Sequence, residues 1–394
     1  MEGIDVRGEE EIEIESFDLE GGEHDPISGL DELSEYEKEL LAAGIDPQER
    51  ERSGSFLQQD HSVVLARSLL PGLEVMGTDD ALRRYPWLED YSWKLIPRDR
   101  DRFTREVAER PTHGYFIRAE RDARITLPLQ SCLFISKDKI RQNVHNIIIA
   151  EENSELHIIT GCTVSHRVSS ALHLGISEFY VKPGAKITFT MVHNWAGGVD
   201  VRPRSAVLVE DGGVFISNYI VMTPVRSLQM YPTAYCLGRG SVATFQSIVY
   251  ASSHSNIDMG SRIVFKGRGS RGDIVSRVIA TDHAKVIAKG DLVGEADDVK
   301  GHLECRGLML SDTSVIESVP ELKARRRNID LSHEAAVGKI AEEEIRYLMA
   351  RGFSEDEAVG MIIRGFLSLE IKGLPEGLAR ETKRMFDMTL EKVM

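Results

Sequence analysis

Gly212-Gly213-Val214-Phe215, Gly240-Ser241-Val242-Ala243 and Gly269-Ser270 repeat one local pattern: a turn residue, a small residue, then apolar residues at alternate positions. Asn153-Ser154-Glu155-Leu156 and Gly184-Ala185-Lys186-Ile187 are earlier copies. With the small residue as marker (154, 185, 213, 241, 270), the spacings are 31, 28, 28 and 29 residues. Further on, Ala284, Val299, Ser314 and Ile329 fall 15 apart, close to half that interval. Strands recurring at a fixed interval, with Gly, Asp and Asn corners and no crossover helices, predict a mainly β fold. The expected architecture is a β-solenoid whose turns stack on one shared core. A β-sandwich would show strands about every 8–12 residues and Asn-Gly hairpin dipeptides, and the latter are absent.

Outward from this stretch the hydrophobic period changes. Period 2 begins near residue 113 and holds to about 332. Residues 29–112 read as mainly helical: Asp31 to Leu41 has helical spacing with Gly44 as its stop, Asp79 can cap a turn through Leu82, and Arg98–Glu109 is a charged, solvent-facing candidate. Residues 333–394 read as helical again. Ala335 to Ala350 places Val337, Ile340, Ile345, Leu348 and Met349 at helical spacing, and Ser354-Glu355-Asp356-Glu357 is a capping box opening the next helix. A last amphipathic helix is expected over 377–393.

Residues 1–50 hold 18 Asp/Glu against Arg7, Lys38 and Arg50, so the whole formal charge of -15 sits there and the remaining 344 residues are neutral. Residues 1–28 are Glu- and Gly-rich and are expected to form an acidic disordered tail. No basic block suited to phosphate appears, which argues against nucleic-acid binding. No apolar run approaches the roughly 18 residues of a membrane span. Met1-Glu2-Gly3-Ile4-Asp5 lacks the basic start and apolar core of a leader, and the four cysteines form no CxxC pair. Together these predict a cytoplasmic protein with reduced thiols.

There is no GxxxxGK[ST], so the chain has no P-loop of its own; GxSxG and HExxH are absent too. Gly267-Arg268-Gly269-Ser270 and Gly238-Arg239-Gly240-Ser241 enter strands and read as corners rather than phosphate cradles. In His302-Leu303-Glu304-Cys305-Arg306-Gly307, period 2 puts Leu303, Cys305 and Gly307 on one face and His302, Glu304 and Arg306 on the other. Cys305 reads either as a small core residue or as a reactive thiol, which would need nearby positive charge or metal; Arg325, Arg326 and Arg327 could supply the charge if the next turn stacks alongside. Glu334 reads as a first-turn helix residue with Ser332 as cap, and Cys162 in Gly161-Cys162-Thr163 as core or functional.

The order of elements and several strings resemble the SufB/SufD family of the SUF iron–sulfur cluster assembly system. The most specific is Leu331-Ser332-His333-Glu334-Ala335-Ala336-Val337-Gly338-Lys339-Ile340, continued by Arg351-Gly352-Phe353-Ser354-Glu355-Asp356-Glu357-Ala358 and Met361-Ile362-Ile363-Arg364-Gly365-Phe366. Leu127-Pro128-Leu129-Gln130, Gly161-Cys162-Thr163 and Asn194-Trp195 support it. The resemblance covers about residues 29–370. It implies a right-handed parallel β-helix over 113–332, flanked by N- and C-terminal helical domains.

It also implies a non-enzymatic, SufB-like scaffold on which a transient iron–sulfur cluster is built, leaving open whether a flavin takes part. Implied partners are a separate SufC-type ABC ATPase docking on the C-terminal helices, a second SufB/SufD protomer (homo- or heterodimer), and a cysteine desulfurase or other sulfur donor. By position, Cys162 would receive persulfide sulfur, Cys305 would be the scaffold cysteine, and Glu334 with His333 would complete iron ligation. Trp195 would line the sulfur path. The chain departs from the SufB pattern at His193, where Gln is usual, at Phe134 and Ser136, and at Asp211, near an expected Lys. Two other readings are an adaptor for the ATPase that ligates no cluster, and a carbohydrate-active β-helix enzyme.

Overall fold

A computed structural model of the chain describes residues 12–367; the helix expected over 377–393 lies outside them. The body is a parallel β-solenoid of about eight turns. One face stacks strands 54–59, 124–135, 155–164, 186–194, 214–221, 242–251, 271–280, 299–309 and 329–339 in that order, with 62–68 antiparallel at the near edge. The second face stacks 115–119, 141–150 and 171–181, then shorter pieces between 199 and 236, then 256–265, 285–294 and 315–324. One continuous apolar core runs between the faces, from Phe56 to Ile316.

The repeat has a backbone cause. Asp122, Asn153, Gly184, Gly212, Gly240, Gly269 and Asp298 all occupy one corner with φ between 58° and 72°. That left-handed conformation suits Gly, Asn and Asp. The small residue after it is buried, and as Ser154, Ser241 or Ser270 its hydroxyl donates to the carbonyl three residues back at 2.6–2.8 Å. The half-interval also has a meaning: Val299 and Ile329 begin strands of the first face, while Ala284 and Ser314 precede strands of the second.

The N-terminal region is not mainly helical. It carries three strands, Gly54–Gln59, Ser62–Ser68 and Leu73–Gly77, beside short helices such as Glu37–Ala42 and Thr78–Arg84. The polar run Gln58-Gln59-Asp60 hid the first of them, because its outward side is covered by the helix ahead of Gly44 and its inward side seals the solenoid. Asp101 caps the helix Arg102–Glu109 with a complete capping box. That helix buries Phe103, Thr104 and Val107, so it is not purely solvent-facing.

The tail expectation fails over residues 12–28. Ile12, Ile14 and Phe17 are buried against Ile96, Phe103, Val107, Leu172, Leu174 and Ile176. Alternating isoleucines put one side of an acidic segment on the body and leave the carboxylates in water. Asp18 then bridges to Ile140.

Residues 91–96 are held by one buried carboxylate. Glu178, fully buried, accepts from the backbone N–H groups of Trp93 and Leu95 at 2.6 Å and of Ile96 at 3.2 Å, and from His145 Nε2 at 2.9 Å. Glu178→Ala would strand those donors, and breaking a buried pair costs about 3–5 kcal/mol. A large fall in the urea midpoint is expected. A change under about 1 kcal/mol would mean the segment is held mainly by its apolar contacts.

The C-terminal helices begin later than expected. Ile329–Lys339 is a strand, and the helices among the described residues are Glu342–Met349 and Glu355–Leu367. The strand wins because all eleven residues pair in parallel register with Val299–Met309, and Ile329, Leu331, His333, Ala335 and Val337 continue the alternation. The predicted capping box is present: Ser354 N–H donates to Glu357 Oε2 at 2.7 Å and Glu357 N–H to Ser354 Oγ at 3.2 Å.

Candidate functional site

Cys305 lies on the inner face of the penultimate strand of the first sheet, 3% exposed and part of the core. Burial raises its thiol pKa, against which the Ser318 hydroxyl and the Arg277 guanidinium pull. Arg277, one strand back, is therefore the nearby positive charge. The arginine triplet is not: Arg325, Arg326 and Arg327 form an exposed corner, where Arg325 pairs with Glu295 at 3.0 Å.

Register decides which candidates meet. Leu303 pairs with His333, Glu304 with Glu334 and Cys305 with Ala335. His333 thus shares the inner face with Cys305, one diagonal step along the next strand, whereas Glu334 projects on the outer face beside Glu304. Ser332 does not cap a helix; its hydroxyl bonds His302 Nδ1 at 2.9 Å. Glu304 itself sits between Arg277 (2.8 Å) and Arg306 (2.7 Å). Among the described residues no three His, Cys, Asp or Glu side chains are gathered closely enough to hold a metal. Within one chain, the structure brings Cys305 and His333 to one face and leaves Glu334 on the other.

Cys162 is fully buried on the inner face of strand Glu155–Val164, paired with Leu133 on one side and His193 on the other. Burial, with Cys132 nearby, pushes its thiol pKa well up. Five ladder steps, about 24 Å, separate its strand from that of Cys305.

A line of polar side chains spans that gap. Tyr219, Ser247, Ser276 and Cys305 are successive register partners on the inner face. Ser247 Oγ donates to Ser276 Oγ at 3.0 Å, and the Tyr219 hydroxyl bonds His193 Nδ1 at 2.8 Å. Trp195, 4% exposed, packs its ring 5.2 Å from that of His173 and 5.3 Å from that of His193. Burial strongly lowers the pKa of both imidazoles, so both are neutral at pH 7. Sequence reasoning missed Tyr219, Ser247 and Ser276. Their signal was the solenoid period itself: 247, 276 and 305 are 29 apart.

The departures sort by face. His193 is interior, next to Cys162. Phe134 packs outward on Tyr36, Ser136 donates to Asp60, and Asp211 is a corner acceptor for the Arg239 N–H. None of the last three lines the interior.

Among the described residues the far end of the solenoid is uncapped. The last described strand is half-buried at Ile329 and Leu331 but exposed at the inner-face positions His333, Ala335 and Val337, the last at 39%. Ile363 and Leu367 of the last described helix pack on an outer stripe of Val192, Ile220, Met222, Ile248, Tyr250, Ile279 and Leu308, while Tyr347, Met349, Phe353 and Met361 stay exposed. No described helix is long and apolar enough to cross a membrane.

Comparison with known proteins points to one family. Residues 133–366 match the sequence model described as SUF system FeS cluster assembly, SufBD core domain. An iron-sulfur cluster assembly SufBD family protein of Methanothermobacter thermautotrophicus is 51% identical over 388 residues, covering 97% of this chain and 95% of that protein. A protein of the same description from Archaeoglobus fulgidus is 48% identical over 357 residues, covering 91% and 96%. One from Pyrococcus horikoshii is 32% identical over 371 residues, covering 92% and 83%.

Proposed function

Because the chain belongs to the SufBD family of iron–sulfur cluster assembly proteins, we propose that it is the scaffold on which a cluster is built. It would work with a SufC-type ATPase, a sulfur donor and a second SufB/SufD protomer. One observation carries the reading: Cys162 and Cys305 face the same solenoid interior, joined by the Tyr219–Ser247–Ser276 line, and Cys305 ends that line one strand inside the last described strand, 329–339. Family membership replaces the carbohydrate-active reading.

In this scheme Cys162 takes up sulfane sulfur and Cys305 holds sulfide or nascent cluster. Thiolate is the soft ligand; His333 and Glu334 are the harder ligands for incoming iron. Glu334 lies on the opposite face from Cys305 within one chain, so the full set is completed across the open end, where a second protomer contributes its own residues. Both thiols are protonated when buried, which keeps them inert until the site opens. The ATPase docks on the exposed Tyr347, Met349, Phe353 and Met361, and strain on the last strands, from which these helices continue, exposes Cys305.

Sulfur entry is tested with Cys162→Ala. Assembly driven by a sulfur donor should be largely lost, because the covalent acceptor of the sulfur is gone. Chemical reconstitution with free sulfide should match wild type. Equal loss in both assays would make Cys162 a packing residue; no loss in either would remove it from the sulfur route.

A further inference from the structure

Cys162 is fully buried, so a sulfur donor needs a way in. The described residues contain a polar cleft of about 1250 Å³ at the N-terminal end of the solenoid, walled by Leu19–Asp25, His61–Ser62 and Arg110–His113. Three of its imidazoles have one nitrogen committed to a fixed acceptor. His24 Nε2 donates to Asp60 Oδ2 at 2.7 Å, His61 Nε2 to the Arg141 carbonyl at 2.8 Å, and His113 Nδ1 to Asp79 Oδ2 at 2.6 Å. The rings are held, and each retains a second nitrogen for hydrogen bonding.

The cleft adjoins the interior rather than the outer surface of the sheets. Its Thr112 carbonyl accepts from Gln58 Nε2, and Gln58 stands two register steps from Cys162, with only Leu133 between. Gln58 and Gln142 both donate to the Asp60 carbonyl, at 3.1 and 2.9 Å. Gln142 Oε1 in turn accepts from His173 Nδ1 at 3.0 Å, and His173 packs on Trp195 and so on His193. Gln58 Oε1 and Trp195 Nε1 are buried without a hydrogen-bond partner among the described residues. Unpaired polar atoms along a buried route are costly unless something polar passes or rests there.

We propose that this cleft is the port through which a persulfide reaches Cys162. The inference rests on Cys162 being the sulfur acceptor. The step is a thiol–persulfide exchange, Cys162–SH + R–S–SH → Cys162–S–SH + R–SH. The donor's S–S bond breaks, a new one forms at Cys162 Sγ, the Cys162 proton leaves on the donor thiol, and nothing is oxidised overall. Glu20, Glu23 and Asp25 make the rim acidic, which favours a persulfide carried on a protein loop flanked by basic residues.

The test is access. In wild type and in Glu23→Trp/Asp25→Trp, two exposed rim positions, each cysteine's modification by methyl methanethiosulfonate is followed peptide by peptide in the mass spectrometer. The plugged variant should slow Cys162 by roughly tenfold or more, because local opening toward the cleft is blocked, with Cys236 and Cys305 unchanged. An unchanged Cys162 rate, or one slowed only by Val337→Trp at the opposite end, overturns the proposal. Separate arms with a small-molecule persulfide and a persulfide-loaded sulfurtransferase tell a free carrier from a loop-borne one. Labelling reports access whether or not Cys162 carries sulfur, so it fails independently of the scaffold reading.

Discussion

Cys305→Ala should leave a folded protein that holds no cluster. Under anaerobic reconstitution with iron and sulfide, the wild-type protein is expected to gain visible absorption and bound iron. The variant should retain at least about tenfold less, since losing even a supporting contact of a metal ligand costs 10–100-fold. Stability should change by no more than about 1–2 kcal/mol, because the exchange removes one sulfur from a site already bordered by Ala335 and Ser276. Cys132 and Cys236 cannot substitute. Cys132 is buried on the outer side under the N-terminal helix, and Cys236 belongs to the second sheet. Glu334→Ala should weaken iron retention less than loss of Cys305 does, as it removes one harder ligand and disturbs no core contact. If Cys305→Ala binds the same cluster as wild type, the scaffold assignment falls. If neither protein binds one while the ATPase still associates, the chain is an adaptor.

How much of this was legible in the sequence follows from how local each feature is. The solenoid was readable because its corners need a positive φ and announce it with Gly, Asn or Asp every 28–31 residues. Cys305 on an inward position followed from alternation alone. The last strand was misread because Ala335, Val337 and Ile340 also satisfy a helical stripe; pairing with a strand 30 residues earlier is a non-local fact that no short window contains. The same non-locality hid the relation of Glu334 to Cys305. A separation of 29 residues brings the two side by side, but one less than the register of 30 places them on opposite faces. The N-terminal segment was misread on composition: its carboxylates outnumber its apolar residues, yet Ile12, Ile14 and Phe17 are enough to seat it.

The open end gives the second large expectation. Strand 329–339 has one ladder partner among the described residues, so its other edge presents free N–H and C=O groups, and the inner-face Val337 meets solvent. Natural proteins protect such edges by bulges, charges or coverage, and here the charge is on the outer face, at Glu334, rather than across the end. A second protomer, a copy of this chain or another SufB/SufD protein, covering this end would bury both edges and bring two sets of Cys305, His333 and Glu334 together. Val337→Asp would then place an unpaired carboxylate in the covered surface. At about 2–5 kcal/mol per buried unpaired charge, the dissociation constant should rise at least roughly 30-fold, and by the square of that factor if the pair is symmetric and carries the change twice. Sedimentation equilibrium should therefore show the pair in wild type and separate protomers in the variant. Thermal unfolding of the isolated chain should change far less than the association does, because Val337 is already 39% exposed. If the variant associates as tightly as wild type, the second protomer is held elsewhere, and the incomplete ligand set at Cys305 must be closed by movement within one chain.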